Sequence, residues 1–297
     1  METAANISAR GSYFNRMKRV FEYIDTHLDA NLSLDVLSAV ASFSKHHFHR
    51  QFAATFGLTI HRYVQLARLR QASWRLVFRS GESVIDIAYG AGYEAPEAFS
   101  RTFKQHMGQT PSTFRARPRW ETWAAVFKSY SDARKSIMKQ TYEHHLVKII
   151  SVLPTPIAVM EHRGNPGQLG QTIQKFIAWR KKIGLVPKVS ATYTIFRDPE
   201  PDLPENFHIE LAAGVNESAS TFTDGVSLRS IPGGRCAVLR VVGSSDDLSE
   251  AAAFLYRDWL PSSGEEARDF PLYCQRITFF PDVPEGQTIT DLFLPLQ

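Results

Sequence analysis

Two segments of the chain repeat one another, and that repeat leaves few folds open. FHRQFAATFGLTIHRY (48–63) and FSRTFKQHMGQTPSTF (99–114) align at an offset of 51 residues. Phe48 meets Phe99, Arg50 meets Arg101, Phe52 meets Phe103, Gly57 meets Gly108, Thr59 meets Thr110 and Tyr63 meets Phe114. Self-similarity at one fixed offset marks a duplicated structural unit. Each copy reads as a helix, a glycine stop and a new helix. Gly57 and Gly108 suit the left-handed position that closes a helix. Thr59 and Thr110 are helix-opening types, and Pro111 falls where a first-turn proline is tolerated.

A shorter helix precedes each copy. Ser33 opens LDVLSAVA, with Leu34, Leu37 and Ala41 at helical spacing. Ser83 opens VIDIAYGA with Asp86 three residues on, a capping box with Asp in place of Glu. The turns Ser42-Phe43-Ser44 and Gly90–Glu94 are short, and Gly92 can take the positive φ that a tight bend requires. Helix, tight turn, helix, twice over, predicts two helix-turn-helix units. Residues 59–80 form the helix between them. About 20 residues at ~1.5 Å each span ~30 Å, close to the ~34 Å repeat of the duplex. That length suits a strut holding two reading helices in successive major grooves. Phe14, Met17, Phe21, Ile24 and Leu28 predict an N-terminal helix packed on the first unit.

Within each reading helix the phenylalanines fix the rotation. Phe48 and Phe52 point inward, so His46, His49 and Arg50 share the outward face. In the second copy Glu97, Ser100, Arg101 and Lys104 do the same. An arginine presents a fork that fits guanine O6 and N7, worth ~1–3 kcal/mol of discrimination. A solvated face is the ordinary reading of one such helix; two copies with arginine at the same place favour DNA. His46, His47 and His49 make a poor metal site, because only His46 and His49 have reachable spacing and no carboxylate or thiol joins them. Charge agrees: residues 1–117 carry 15 Lys and Arg against 9 Asp and Glu, whereas residues 118–297 carry 19 against 21. A basic half beside an acidic one suggests a polyanionic partner for the first.

IAYGAGYEAPEAFSRTFKQHMGQTPSTFR (87–115) closely resembles the signature of the AraC/XylS family of transcription regulators, and VASFSKHHFHRQFAATFGLTIHRYV fits the other half of that domain. The resemblance covers residues 10–117. It implies an all-α, homeodomain-like double helix-turn-helix domain that bends double-stranded DNA and recruits RNA polymerase, as an activator. Base-reading positions carry over to His46, His49 and Arg50, then to Ala95, Pro96, Glu97 and Arg101. Lys104 shares the latter face. Many relatives have polar residues where this chain has Ala95 and Pro96.

Residues 118–145 read as a helical or irregular connector. From Leu146 the pattern turns mixed. VKIISV, IAVMEHRG, ATYTIF, FHIELAAGV, GRCAVLRVVG, PLYCQRITFF and TDLFLPL read as strands. LGQTIQKFIAWRKKIG reads as a helix with Ile173, Phe176, Ile177 and Ile183 on one side. DDLSEAAAFLYRDWLP reads as a second, started by Asp246 or Asp247 and stopped by Pro261. This order predicts a duplicated α+β domain on an antiparallel sheet over 146–297. GVSLRSIPGGRCAVLRVVG, FLYRDWLPSSG and TDLFLPL resemble the GyrI-like small-molecule-binding domain found in Rob-type regulators. The resemblance implies a pocket between pseudo-repeats, with Trp179, Tyr193, Phe196, Tyr256 and Trp259 as lining candidates for an aromatic or cationic effector. Cys274 stands where many relatives have a carboxylate, and Glu210 falls where relatives are often acidic.

At 297 residues two domains are expected. No apolar run reaches the ~18 residues a membrane span needs, and METAANISARGSYF lacks an apolar signal core. Two distant cysteines, Cys236 and Cys274, fit a reducing cytoplasm better than a disulfide framework. No nucleophile elbow, phosphate loop or metal-ligand spacing occurs, so no enzyme, metal or cofactor is expected. A C-terminal protein-interaction module, or an enzyme fused to a DNA-binding domain, is the competing reading.

Overall fold

A computed structural model of the chain describes residues 4–79, 81–199, 201–216, 225–244 and 248–297. It divides into two units, residues 1–140 and 141–297.

The first unit is helical: α1 (Ala4–Thr26), α2 (Leu34–Ala41), α3 (Lys45–Phe56), α4 (Ile60–Phe78), α5 (Val84–Gly90), α6 (Pro96–Met107), α7 (Pro111–Ala116) and α8 (Trp120–Ile137). The boundaries follow local chemistry. Ser33, Ser44, Thr59, Ser83 and Thr110 hold extended backbone, and their hydroxyls accept amide hydrogens of the first helical turn. Such a cap contributes ~1 kcal/mol. Gly57 and Gly108 close α3 and α6 at φ +70° and +65°. Ser42 takes φ +56° between α2 and α3, a conformation unusual for a residue with a Cβ. In the expected capping box, the Ser83 hydroxyl donates to the Asp86 carboxylate at 2.7 Å. One continuous core gathers Met17, Phe21, Phe48, Phe52, Tyr63, Phe99, Phe103 and Phe114, all at most 1 % exposed.

Residues 118–145, expected as a connector, are mostly helix. The face of α8 made by Trp120, Phe127, Tyr130, Ala133 and Ile137 is buried, and most of it joins the same core. The Arg134 guanidinium forks onto the Asp25 carboxylate of α1 at 2.7 and 2.8 Å. The resemblance in sequence ends at residue 117, and the buried Arg134 within α8 is not an apolar position that would mark this face as core. Its partner lies 109 residues away.

The second unit contains β1 (Val147–Val152), β2 (Thr155–Arg163), α9 (Leu169–Lys182), β3 (Thr192–Asp198), β4 (His208–Gly214), β5 (Val226–Ile231), β6 (Gly234–Val242), α10 (Ser249–Ala253), a π-helical turn (Phe254–Trp259), α11 (Leu260–Ser263), β7 (Tyr273–Arg276) and β8 (Ile289–Pro295). Among the described residues the eight strands form one sheet, in the order β1-β6-β8-β7-β3-β4-β2-β5, and every neighbouring pair is antiparallel. Exchanging β1–β4 with β5–β8 reproduces that order read backwards, so the domain is a pseudo-dyad duplication. Each half sends its first strand to the edge of the other: β1 pairs β6, and β5 pairs β2.

Three expectations are corrected. The strand β5 was not anticipated: only its ends are buried, and VSLRSI lacks the apolar alternation of a half-buried strand. The second helix runs past Pro261 to Gly264, at φ +73°. The wide π turn before the proline loosens the backbone ladder that an interior proline would otherwise break. The start expected at Asp246 or Asp247 lies outside the described residues. In α9 the buried stripe is Phe176, Trp179 and Arg180, while Ile183 at the C-terminal end is exposed.

Candidate nucleic-acid interface and effector domain

In α3, Phe48, Phe52 and Phe56 are buried, and the rings of Phe48 and Phe52 meet edge to face at 5.9 Å. That anchoring leaves His46, His49 and Arg50 exposed. In α6, Phe99, Phe103 and Met107 are buried while Glu97, Arg101 and Lys104 are exposed. Ala95 and Pro96 are half-buried at its start. Ala95 has the extended backbone of a cap, at φ −134° and ψ 129°, but its methyl cannot accept the amide hydrogen that Ser44 accepts in α3.

Within residues 1–140 the two helix-turn-helix units border one cleft of about 730 Å³. His49 of α3, His61, Gln65 and Arg68 of α4, Tyr89 of α5 and Glu94 of the turn before α6 line it. The Arg68 side chain fastens α4 to the turn after α1, donating to the Leu28 and Ala30 carbonyls at 2.9 and 2.7 Å. Burial lowers its guanidinium pKa, with Tyr93 and Asp29 acting in the opposite direction. Gly92 sits at φ +70° against this tie, where a Cβ would lie 2.6 Å from the Leu28 carbonyl oxygen. A side chain there would have to displace the Arg68 guanidinium or the Leu28 carbonyl. Residues 1–140 carry 20 Lys and Arg against 11 Asp and Glu, and residues 141–297 carry 14 against 19. The charge contrast is therefore sharper at the structural boundary than at residue 117, because α8 and its flanks are basic.

In the second unit one cross-strand row runs Val147, Leu239, Leu292, Cys274, Thr194, Leu211, Met160, Val226. Its Leu239 and Leu292 end packs with Phe254 and Trp259, and its Met160 and Leu211 end packs with Phe176 and Trp179. Both helical segments therefore cover the same face. Trp259 and fully buried Cys274 belong to one cluster, Trp179 to the other, and Phe196 touches both. Tyr256 stands exposed on the π turn. Burial pushes the Cys274 thiol pKa up.

The neighbouring row runs Lys148, Val238, Phe293, Tyr273, Ile195, Glu210, Glu161, and period-2 alternation puts it on the opposite face. Tyr193 shares that face and meets Tyr273 at 6.4 Å. The seven expected effector contacts are thus split by the sheet. Tyr193 and Glu210 cannot line a pocket with Trp179, Phe196, Trp259 and Cys274.

Glu210 is fully buried and directly opposite Glu161, a like-charge pair that is unfavourable alone. Three arginines offset it. Arg197 donates to Glu210 at 2.9 Å, Arg163 to Glu161 at 2.8 Å, and Arg229 bridges both carboxylates. Burial alone would raise the Glu161 pKa, but its hydrogen bonds to Arg163 and Arg229 hold it low. His208 Nε2 lies 3.5 Å from Glu161, and burial followed by Arg163 lowers the imidazole pKa. Donor atoms of Glu161, His208 and Glu210 lie within 4.8 Å of one another. A cation entering there would have to displace arginines that already neutralise both carboxylates. Sequence reading picked out Glu210 but missed its partners, since Arg197 and Arg229 come from strands 13 and 19 residues away.

The profile of the GyrI-like small molecule binding domain matches residues 145–297. The chain belongs to the GyrI-like family. A helix-turn-helix domain profile, of AraC/XylS type, matches residues 37–117. Over 152 residues the chain is 37 % identical to the probable transcriptional regulator YgiV of Escherichia coli, covering 50 % of this chain and 95 % of that protein. Over 101 residues it is 33 % identical to the right origin-binding protein of Escherichia coli, a match spanning 34 % of this chain and 35 % of that one. Among solved structures, the EcmrR–DNA complex covers 89 % of this chain and 98 % of its own at 12 % identity and TM-score 0.45. A hydrolase from Listeria innocua covers 55 % and 98 % at 12 % identity and TM-score 0.40. The chain is a transcriptional regulator that joins a helix-turn-helix DNA-binding unit to a GyrI-like small-molecule-binding domain. No helix among the described residues is long and apolar enough to cross a membrane.

Proposed function

We propose that this regulator reads double-stranded DNA through both reading helices at once, and that an effector held by its GyrI-like domain controls that binding. His46, His49 and Arg50 of α3 take one major groove; Glu97 and Arg101 of α6 take the next, with Lys104 on phosphate and Ala95 and Pro96 at the groove edge. One observation carries this reading: two helices anchored by equivalent buried phenylalanines leave Arg50 and Arg101 exposed, on units that share one cleft. The regulator acts in the cytoplasm as an activator that brings RNA polymerase to its promoters.

The effector binds on the helix-covered face, where Phe196 joins the cluster around Trp179 to the one around Trp259 and Cys274, with Tyr256 at the entrance. Glu210 does not draw the ligand in, because Arg197 and Arg229 already neutralise it. The effector is therefore an aromatic molecule held without a free carboxylate partner. No catalytic role is assigned to these residues.

Selection of bound DNA from a random library, at stated salt, tests the DNA half. Arg50→Ala should then lose preference at one base position, and unchanged preference in that variant would refute the assignment. Transcription with purified polymerase on the selected sites tests activation. Effector binding that survives Phe196→Ala and Cys274→Phe would refute the pocket.

A further inference from the structure

The connector helix α8 lies along α4 in the opposite direction. Its N-terminal Trp120 stacks on Phe78 at the end of α4 and meets Phe114 of α7, at 6.2 and 6.1 Å. Trp123 Nε1 donates to Ser73 Oγ at 2.7 Å. Further along, Tyr130 stacks on Tyr63 near the start of α4, at 4.9 Å and 23° between planes. Arg134 donates to the Tyr63 hydroxyl at 3.1 Å as well as to Asp25 of α1. The Arg70 guanidinium of α4 lies over both Trp123 and Tyr130.

The contact positions 120, 123, 127, 130, 134 and 137 alternate three and four apart, the spacing by which paired helices interlock along their length. One end of α8 therefore grips the second helix-turn-helix unit, and its other end grips the first. A lone 19-residue helix is free to curve gently along its length. Two antiparallel helices with interlocking side chains resist that curvature, because bending one must slide it against the other.

We propose that α8 is a positioning element of the DNA-binding unit: a second rod that fixes the separation and relative rotation of α3 and α6, and so sets the half-site spacing the regulator accepts. This rests on the reading that both helices contact DNA. It assigns α8 no contact with DNA.

The test uses the full chain. Sites selected by the wild type are rebuilt with the interval between half-sites changed by one and by five base pairs. The readout is the ratio of Kd on the altered interval to Kd on the selected one. Trp120→Ala, which loosens the second unit, and Arg134→Ala, which loosens the first, should each lower that ratio at least threefold, with base preference inside each half-site unchanged. Trp123→Phe keeps an aromatic ring but removes the indole N–H that bonds Ser73; it should fold like the wild type and shift the ratio in the same direction. A folded variant set that loses affinity by one common factor at every interval, or keeps the wild-type ratio, overturns the proposal. Failure of the wild type to select any DNA would instead overturn the DNA reading beneath it.

Discussion

The two helix-turn-helix units share a scaffold and differ in how each is held and how each reading helix begins. The first opens α3 on a serine cap and is anchored to α8 by a buried ion pair. The second opens α6 on Ala95 without a side-chain cap and is anchored through Trp120, Phe78 and Phe114. Matching spacing in the sequence therefore conceals unlike energetics. The first unit adds to the Tyr130–Tyr63 stack a buried, directional ion pair that tolerates little substitution. The second is fastened by apolar area, which tolerates changes of shape more easily.

That contrast can be broken most forcefully at Arg134. Arg134→Met leaves the Asp25 carboxylate buried without its main partner, and the first unit should lose about 3–5 kcal/mol. Adding Asp25→Leu should recover most of that loss, since an apolar pair of similar volume often replaces a buried ion pair at little cost. Denaturant melts of the single and double variants decide this, and a double variant no better than the single would contradict it. Next comes the reading face. Arg50→Ala should weaken specific binding by about 1–3 kcal/mol and relax one base position. Arg101→Ala should cost less, because α6 meets the groove with Ala95 and Pro96; titration on the selected site compares the two.

Helix opening gives a smaller contrast. Ser44→Ala should destabilise the first unit by about 1 kcal/mol. Ala95→Ser, in backbone already extended, should stabilise the second by about 0.5–1 kcal/mol. Opposite signs in thermal melts confirm the asymmetry, and equal signs dispose of it. The smallest effect is at Lys104. Lys104→Ala should weaken binding to all sequences alike and lower the slope of log K against log salt by about one.

How far this was readable from the chain depended on how locally each feature was encoded. Caps, glycine stops and the Phe48/Phe52 and Phe99/Phe103 pairs are decided within one helical turn, and the helix-turn-helix units followed from them. The strand β5 was hidden because its sheet face carries Arg229, whose reason for being there is Glu210, in another strand. Arg134 broke the stripe of α8 for the same reason, with Asp25 far upstream. Aromatic residues in the second unit were recognisable as a set. Which face of the sheet each one takes depends on strand register, and that is where Tyr193 and Glu210 parted from Trp179 and Trp259.

The exchange of first strands across the pseudo-dyad carries a consequence for assembly. The last strand in chain order, Ile289–Pro295, is an interior strand, hydrogen-bonded on both sides. Neither half closes its outer edge without a strand from its twin, so the hydrogen bonding of each is complete only when both are present. The second half in turn is continuous only once β8 lies between β6 and β7.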